Sequence, residues 1–91
     1  MKNSGSFFDE QIMENANITK DGIVVEVGQV WRDLDHRMAG RCCKVMSLYD
    51  GHAKMRRCTD AGVELVTKDT RVAVRRMHKG ATGWELIKLQ G

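Results

Sequence analysis

Short runs of β-branched and other apolar residues, separated by turns that contain glycine, follow one another from Ile23 onward. In the run from His52 to Cys58, apolar and basic residues alternate with the period of two that a half-buried strand shows. The preceding Asp50-Gly51 is the strongest hairpin signal of the chain. The runs cover residues 23–32, 41–49, 52–58, 63–67, 71–74 and 84–89. About five short strands, with no segment of helical periodicity among them, predict an all-β domain that forms a small barrel or sandwich.

Residues 1–22 are predicted to be an N-terminal extension of a single domain that spans residues 23–91. Phe8 and Ile12 form an apolar i, i+4 pair, which is compatible with a helix over about residues 7–16. Isolated helices of this length are marginally stable in water. The extension is therefore either a short helix that packs on the body or on a second subunit, or a mobile segment, and the sequence leaves both open.

The composition indicates a globular protein, because 91 residues suffice for one domain and a hydrophobic fraction of 42% is ordinary. No apolar run approaches the roughly 20 residues that cross a bilayer, and acidic residues stand where a signal peptide needs its apolar segment. Three cysteines, with Cys42 next to Cys43, do not indicate a disulfide framework. We therefore expect a cytoplasmic protein without membrane contact, whose thiols are buried in a reducing compartment.

Motifs for catalysis or metal binding are absent from the sequence. The histidines and cysteines lack the paired spacing of a metal site, and the glycines do not form a phosphate-binding loop. Asp33 and Asp35 have the spacing of two catalytic carboxylates on one strand face, but we interpret them as caps of the following loop that pair with Arg37 or Arg41. No motif supports a nucleophilic Cys/His pair. The sequence thus predicts a protein that is not an enzyme and holds no metal or cofactor.

Basic residues are the strongest functional signal. Residues 1–24 hold two lysines against four carboxylates, whereas residues 25–91 hold thirteen Lys/Arg against eight Asp/Glu. A basic domain attracts polyanions. On strands, Lys54 and Arg56 would share one face, as would Arg71 and Arg75, and neighbouring strands would then form a basic stripe. The candidate binding residues are Lys54, Arg56, Arg57, Arg71, Arg75, Arg76, Lys79 and, for stacking beside the hairpin turn, Tyr49. The alternative is an ordinary solvated face on which acidic residues are interspersed.

Several motifs resemble those of a known type of domain. The opening Val27-Gly28-Gln29-Val30-Trp31-Arg32-Asp33 is followed by Asp35-His36-Arg37, Gly40-Arg41, Thr70-Arg71-Val72-Ala73-Val74-Arg75 and Thr82-Gly83-Trp84-Glu85-Leu86. In this order, over about residues 25–88, they resemble the small SH3-like (KOW-like) barrel domains in short proteins of bacteriophages and actinobacteria. The extension has no counterpart there. The resemblance implies an SH3-like barrel of about five antiparallel strands, in which Trp31 and Trp84 lie where the first and last strands pair.

The combined observations favour a non-catalytic binding module. By analogy of fold, we expect a small phage or mobile-element accessory protein that binds nucleic acid through a basic sheet face, as a monomer or homodimer. The alternative is a protein–protein inhibitor or regulator, of the anti-defence or anti-CRISPR type, that docks on a host enzyme or complex. Binding to DNA and RNA under salt titration, set beside a pulldown from host lysate, distinguishes the two.

Overall fold

Five strands make up the structure, a computed structural model that describes residues 16–89. They are β1 (Val30–Asp33), β2 (Cys42–Tyr49), β3 (His52–Cys58), β4 (Thr70–Ala73) and β5 (Trp84–Lys88). Helical structure within the described range is confined to two 3-10 turns, His36–Met38 and Val74–Arg76, and neither is long and apolar enough to cross a membrane. The helix considered for the extension falls, apart from Ala16, on residues outside this range.

The five strands form one antiparallel sheet with the order β4-β3-β2-β1-β5. β1 to β4 are a meander, and β5 returns to pair with β1. Trp31 of β1 lies opposite Cys43 of β2 and Leu86 of β5, whereas Lys54 of β3 lies opposite Arg71 of β4. This sheet confirms the predicted all-β fold of five antiparallel strands.

The first strand begins only at Val30, seven residues later than predicted. The reason is the side chain of Gln29, which donates to the Val24 carbonyl (3.0 Å) and accepts the Glu26 N–H (2.9 Å). Those backbone groups are therefore paired within a loop and not with a neighbouring strand. The same Gln29 oxygen accepts the indole N–H of Trp31 at 3.1 Å, so the loop is tied directly to the core.

A small hairpin precedes this loop. Ile18 and Val24 form a β-bridge, and the Ile23 N–H donates to the Thr19 hydroxyl at 3.1 Å. Val25, at the end of the hairpin, is buried in the main hydrophobic cluster. Residues 17–22, which the sequence analysis assigns to the extension, are therefore paired with the first residues of the body.

The strand predicted over residues 63–67 is not formed. Glu64 makes a single bridge to Cys58, and the Leu65 N–H donates to the Arg57 carbonyl at 2.9 Å. The chain then leaves the sheet until β4. Val63, Leu65 and Val66 are exposed, so this run lacks the buried face that would hold a strand against the sheet.

The predicted hairpin turn and core are confirmed. Asp50 and Gly51 have φ values of 54° and 72°, the left-handed pair that a tight type I′ hairpin requires. Trp31 and Trp84 are 1% and 6% exposed and pack in one cluster. The buried members of that cluster are Val25, Trp31, Cys43, Val45, Ala53, Met55, Val72, Val74, Met77 and Trp84. Every strand contributes to it, so this cluster is the main core that packs against the sheet.

Trp31→Ala is expected to lower the free energy of unfolding by about 3–5 kcal/mol, because it removes a buried ring and the indole partner of Gln29. Such a loss is a large part of the roughly 5–15 kcal/mol that stabilises a small domain. Chemical denaturation followed by circular dichroism measures it. Tyr49→Ala is the control, since that residue is 81% exposed and its truncation should change stability by less than about 0.5 kcal/mol. Equal denaturation midpoints for Trp31→Ala and the wild type would contradict this packing.

Candidate nucleic-acid interface

Two aspartate–arginine pairs hold the loop between β1 and β2. Asp33 Oδ2 accepts the Arg41 Nε–H at 2.9 Å, while Asp33 Oδ1 accepts the Asp35 N–H at 3.0 Å. Asp35 accepts the Arg37 N–H at 3.0 Å and bonds the Arg37 guanidinium at 2.6 Å. The hydrogen bonds from Arg37 hold the pKa of the Asp35 carboxyl well below its usual range. The interpretation of these aspartates as caps of the loop is confirmed.

Arg41 links this loop to the core. Its guanidinium lies 5.7 Å from the ring centroid of Trp84, within the range of a cation–π contact. Trp84 is in turn the β5 residue opposite Asp33 in register. Asp33, Arg41 and Trp84 thus form one unit that joins β1, the loop and β5.

A groove of about 520 Å³ lies beside this unit. One wall consists of β4 and the 3-10 turn that follows it, and the other consists of the loop and the start of β5. β4 and β5 are the two edge strands of the sheet, so the sheet is curled enough to bring its edges to the same groove. The lining residues are Asp33, Asp35, Arg37, Met38, Arg41, His52, Thr70, Arg71, Val72, Ala73, Arg75, Arg76, Thr82 and Trp84. We call this feature the arginine groove.

The charge of the arginine groove is unevenly compensated. Five arginines and two aspartates line it, but both aspartates are engaged by the loop arginines Arg37 and Arg41. Arg71, Arg75 and Arg76 form no ion pair with a carboxylate of residues 16–89. Arg71 belongs to β4, as predicted, whereas Arg75 and Arg76 lie in the 3-10 turn. The expectation that Arg71 and Arg75 share a strand face is therefore wrong, but the groove brings them together.

The basic residues of β3 have a different environment. Arg56 bonds Asp69 at 2.8 Å and Glu64 at 3.1 Å, and Lys54 lies 3.6 Å from Asp69. The hydrogen bonds between Arg56 and Asp69 raise the pKa of the guanidinium and lower the pKa of the carboxyl. β3 and β4 are neighbours, as a basic stripe requires. The carboxylates of Glu64 and Asp69, however, already pair with the basic residues on the β3 side of that stripe.

The remaining predicted site residues, Arg57, Lys79 and Tyr49, do not line the arginine groove. Arg57 is exposed and lines neither of the cavities described here, and Lys79 pairs with Glu85 at 3.7 Å outside both. Tyr49 is 81% exposed and lines a second cavity of about 340 Å³, which we call the Tyr49 pocket. Its lining residues are Ser47, Tyr49, His52, Lys54, Asp69, Thr70 and Arg71. His52, Thr70 and Arg71 line both cavities, so the two are adjacent.

Several groove residues were not among the predicted binding residues. Arg37 and Arg41 were expected to pair with the aspartates and were not among the candidate binding residues. The Asp-x-Asp-x-Arg spacing of residues 33–37 was the available signal for this wall of the groove. Thr82 stands in the motif Thr82-Gly83-Trp84-Glu85-Leu86, which predicted the last strand but did not mark Thr82 as a binding residue.

Neither Cys43 nor Cys58 is activated as a nucleophile. Cys42, Cys43 and Cys58 are free and buried, as predicted. Burial raises the pKa of the Cys43 thiol to about 11 and also raises that of Cys58. A thiol with such a pKa is protonated and weakly reactive at neutral pH. Within residues 16–89, no group of three or more His, Cys, Asp and Glu side chains is arranged to hold a metal ion.

In comparisons with known proteins, the chain matches no family model, no curated protein and no solved structure. Only the geometry and charge of the described residues therefore bear on its function.

Asp33→Ala should destabilise the protein by about 3–5 kcal/mol, because it leaves the guanidinium of Arg41 without its carboxylate at a site where that side chain is only 19% exposed. Asp35→Ala is the matched control: its partner Arg37 is 72% exposed, so water replaces the lost ion pair and the decrease should be clearly smaller. Thermal and chemical unfolding of both variants measure the difference. Equal losses would show that Asp33 does not anchor the loop.

Proposed function

We propose that this protein is a non-catalytic module that binds nucleic acid in the arginine groove. The observation on which the proposal depends is the set of three arginines, Arg71, Arg75 and Arg76, that share one groove without a carboxylate partner among residues 16–89. A guanidinium presents a planar fork of donors that matches phosphate oxygens. Adjacent cations repel one another, and a polyanion in the groove relieves that repulsion.

The surroundings of these arginines favour a ligand with several phosphates. Asp33 is 5% exposed and directed to Arg41, so it does not neutralise the opposite wall. The formal charge of the lining is +3, from five arginines and two aspartates, and it is spread along β4 and the 3-10 turn. A positive surface to which several arginines contribute suits a phosphodiester backbone better than a single small anion.

The lining also indicates how selective the binding is. It contains neither Asn nor Gln, the residues that pair with adenine edges. The guanidinium groups of its free arginines match phosphate oxygens. Phosphate contacts fix the position of a nucleic acid but do not distinguish its sequence. We therefore propose binding that is largely independent of sequence.

A second candidate function, docking on a host protein complex, is favoured by a different surface. Val63, Leu65 and Val66, in the segment between β3 and β4, are 62%, 39% and 105% exposed. Three apolar side chains within four residues are a larger exposed group than the isolated ones common on protein surfaces. None of them lines the arginine groove, so mutations separate the two functions.

A salt titration of binding to labelled DNA and RNA tests the first proposal. With three to five phosphate contacts, the slope of log affinity against log salt should be about −3 to −5 on duplex DNA. Arg71→Ala combined with Arg75→Ala should flatten this slope by about two units and weaken all sequences alike. Fluorescence anisotropy at several salt concentrations gives both quantities.

The matched control is the double variant Arg57→Ala, Lys68→Ala. It removes the same charge from two exposed residues that line neither cavity, so its slope should remain close to that of the wild type. Equal weakening by the two double variants would show that binding depends on overall charge and not on the groove. A wild-type protein that binds no DNA or RNA even at low salt would refute the proposal and favour the protein-docking function.

A further inference from the structure

We infer that the nucleic acid is single-stranded and that the Tyr49 pocket receives one of its unpaired bases. This inference rests on the proposed function and deepens it. It depends on the juxtaposition of an exposed aromatic ring, a cavity of the size of a small-ligand site and the arginine groove.

The hairpin turn fixes the aromatic surface in place. Tyr49 and His52 are cross-strand partners on either side of Asp50-Gly51. Because the two turn residues adopt the left-handed conformation of a tight hairpin, the flanking pair has little freedom to separate. His52 Nδ1 lies 2.9 Å from the Asp50 carbonyl oxygen, which orients the imidazole ring. Tyr49 and His52 are therefore presented to solvent by a rigid part of the sheet.

The rest of the Tyr49 pocket is suited to the edge of a base. Ser47 and Thr70 contribute hydroxyl groups, which both donate and accept hydrogen bonds. Asp69 also lines the pocket, but its carboxylate is held by Arg56 and is not free to repel a nucleotide phosphate. A ring to stack on, with small polar groups around it, accepts bases of different identity, because every base has a π-face.

Arg71 connects the base to the backbone. It lines both the Tyr49 pocket and the arginine groove, together with His52 and Thr70. A strand whose phosphate contacts Arg71 therefore has its base within reach of Tyr49, while the next phosphates approach Arg75 and Arg76. In a duplex the bases are stacked and paired, so a base enters such a pocket only after unstacking at a free-energy cost. A single strand avoids that cost.

Oligothymidylate and an abasic strand of the same length and charge are the probes that isolate the base. The wild-type protein should bind oligothymidylate at least about 5-fold more tightly than the abasic strand, because stacking on an aromatic ring contributes that much per base. It should also prefer oligothymidylate to a duplex of equal phosphate number. The salt slopes on the two single strands should be equal, since they offer the same phosphates.

Variants at position 49 assign the effect to the pocket. Tyr49→Ala should weaken oligothymidylate binding by at least about 5-fold, remove the preference over the abasic strand and leave the salt slope and duplex binding unchanged. Tyr49→Phe should retain the wild-type preference, because the ring and not the hydroxyl group does the stacking. The fold of each variant is checked by thermal unfolding, and the comparison of the three probes on the wild type requires no variant.

Each other outcome overturns the inference in a distinguishable way. If Tyr49→Ala has no effect while the Arg71→Ala, Arg75→Ala variant loses affinity, the groove binds phosphates but no base enters the Tyr49 pocket. If the wild type binds duplex or abasic strand as tightly as oligothymidylate, the ligand is not selected for unpaired bases. If none of the probes binds, the proposed function fails together with the inference.

Discussion

Ion pairs between arginine and carboxylate hold the loop between β1 and β2 in place. They also determine which arginines remain available to bind a ligand. The pair of Asp33 and Arg41 is the most buried of them, with side chains only 6% and 19% exposed. It ties the end of β1 to the loop before β2 and holds the Arg41 guanidinium over the ring of Trp84. A buried charge is tolerated only when it is paired, so this contact cannot be given up to a ligand without destabilising the loop. In the arginine groove, Arg71, Arg75 and Arg76 remain available, because they form no ion pair with a carboxylate of residues 16–89.

The candidate site arises from the curvature of the sheet. A flat five-stranded sheet would place β4 and β5 at opposite edges, but here both line one groove. Bulges interrupt the register between β2 and β3 and between β1 and β5, and such bulges increase the local twist. The 3-10 turn after β4 adds Arg75 and Arg76 to the wall that Arg71 begins. The tight hairpin at Asp50-Gly51 then places Tyr49 in the Tyr49 pocket and His52 where it lines both cavities.

Local signals in the sequence predicted the parts of the fold that depend on local chemistry. Alternation predicted β3, the Asp-Gly pair predicted its turn, and the motif around Trp31 and Trp84 predicted the paired first and last strands. The loop after β1 was also predictable, because aspartates two residues apart commonly cap such a turn. The apolar run from Ile23 failed as a strand since one side chain, Gln29, bonds the backbone groups that a strand would use.

The candidate site was less predictable, because ion pairing depends on strand register. Arg56 was as plausible a ligand-binding residue as Arg71 in the sequence. The register of β3 with β4 brings Asp69, thirteen residues away along the chain, against Arg56 but leaves Arg71 opposite Lys54. Opposite charges across neighbouring strands stabilise each other, and this pairing removes Arg56 from the free cations. Sequence spacing alone contains no information on which arginine is neutralised.

The most direct test of this account follows each arginine separately, by the Nε–H resonances of the arginine side chains in an NMR titration with oligothymidylate. The account predicts that the resonances of Arg71, Arg75 and Arg76 shift on binding. Those of Arg41 and Arg56, whose Nε–H groups donate to Asp33 and Asp69, should stay in place. Shifts at Arg56 with unchanged Arg71, Arg75 and Arg76 would contradict it, because the ligand would then displace a carboxylate and ignore the groove.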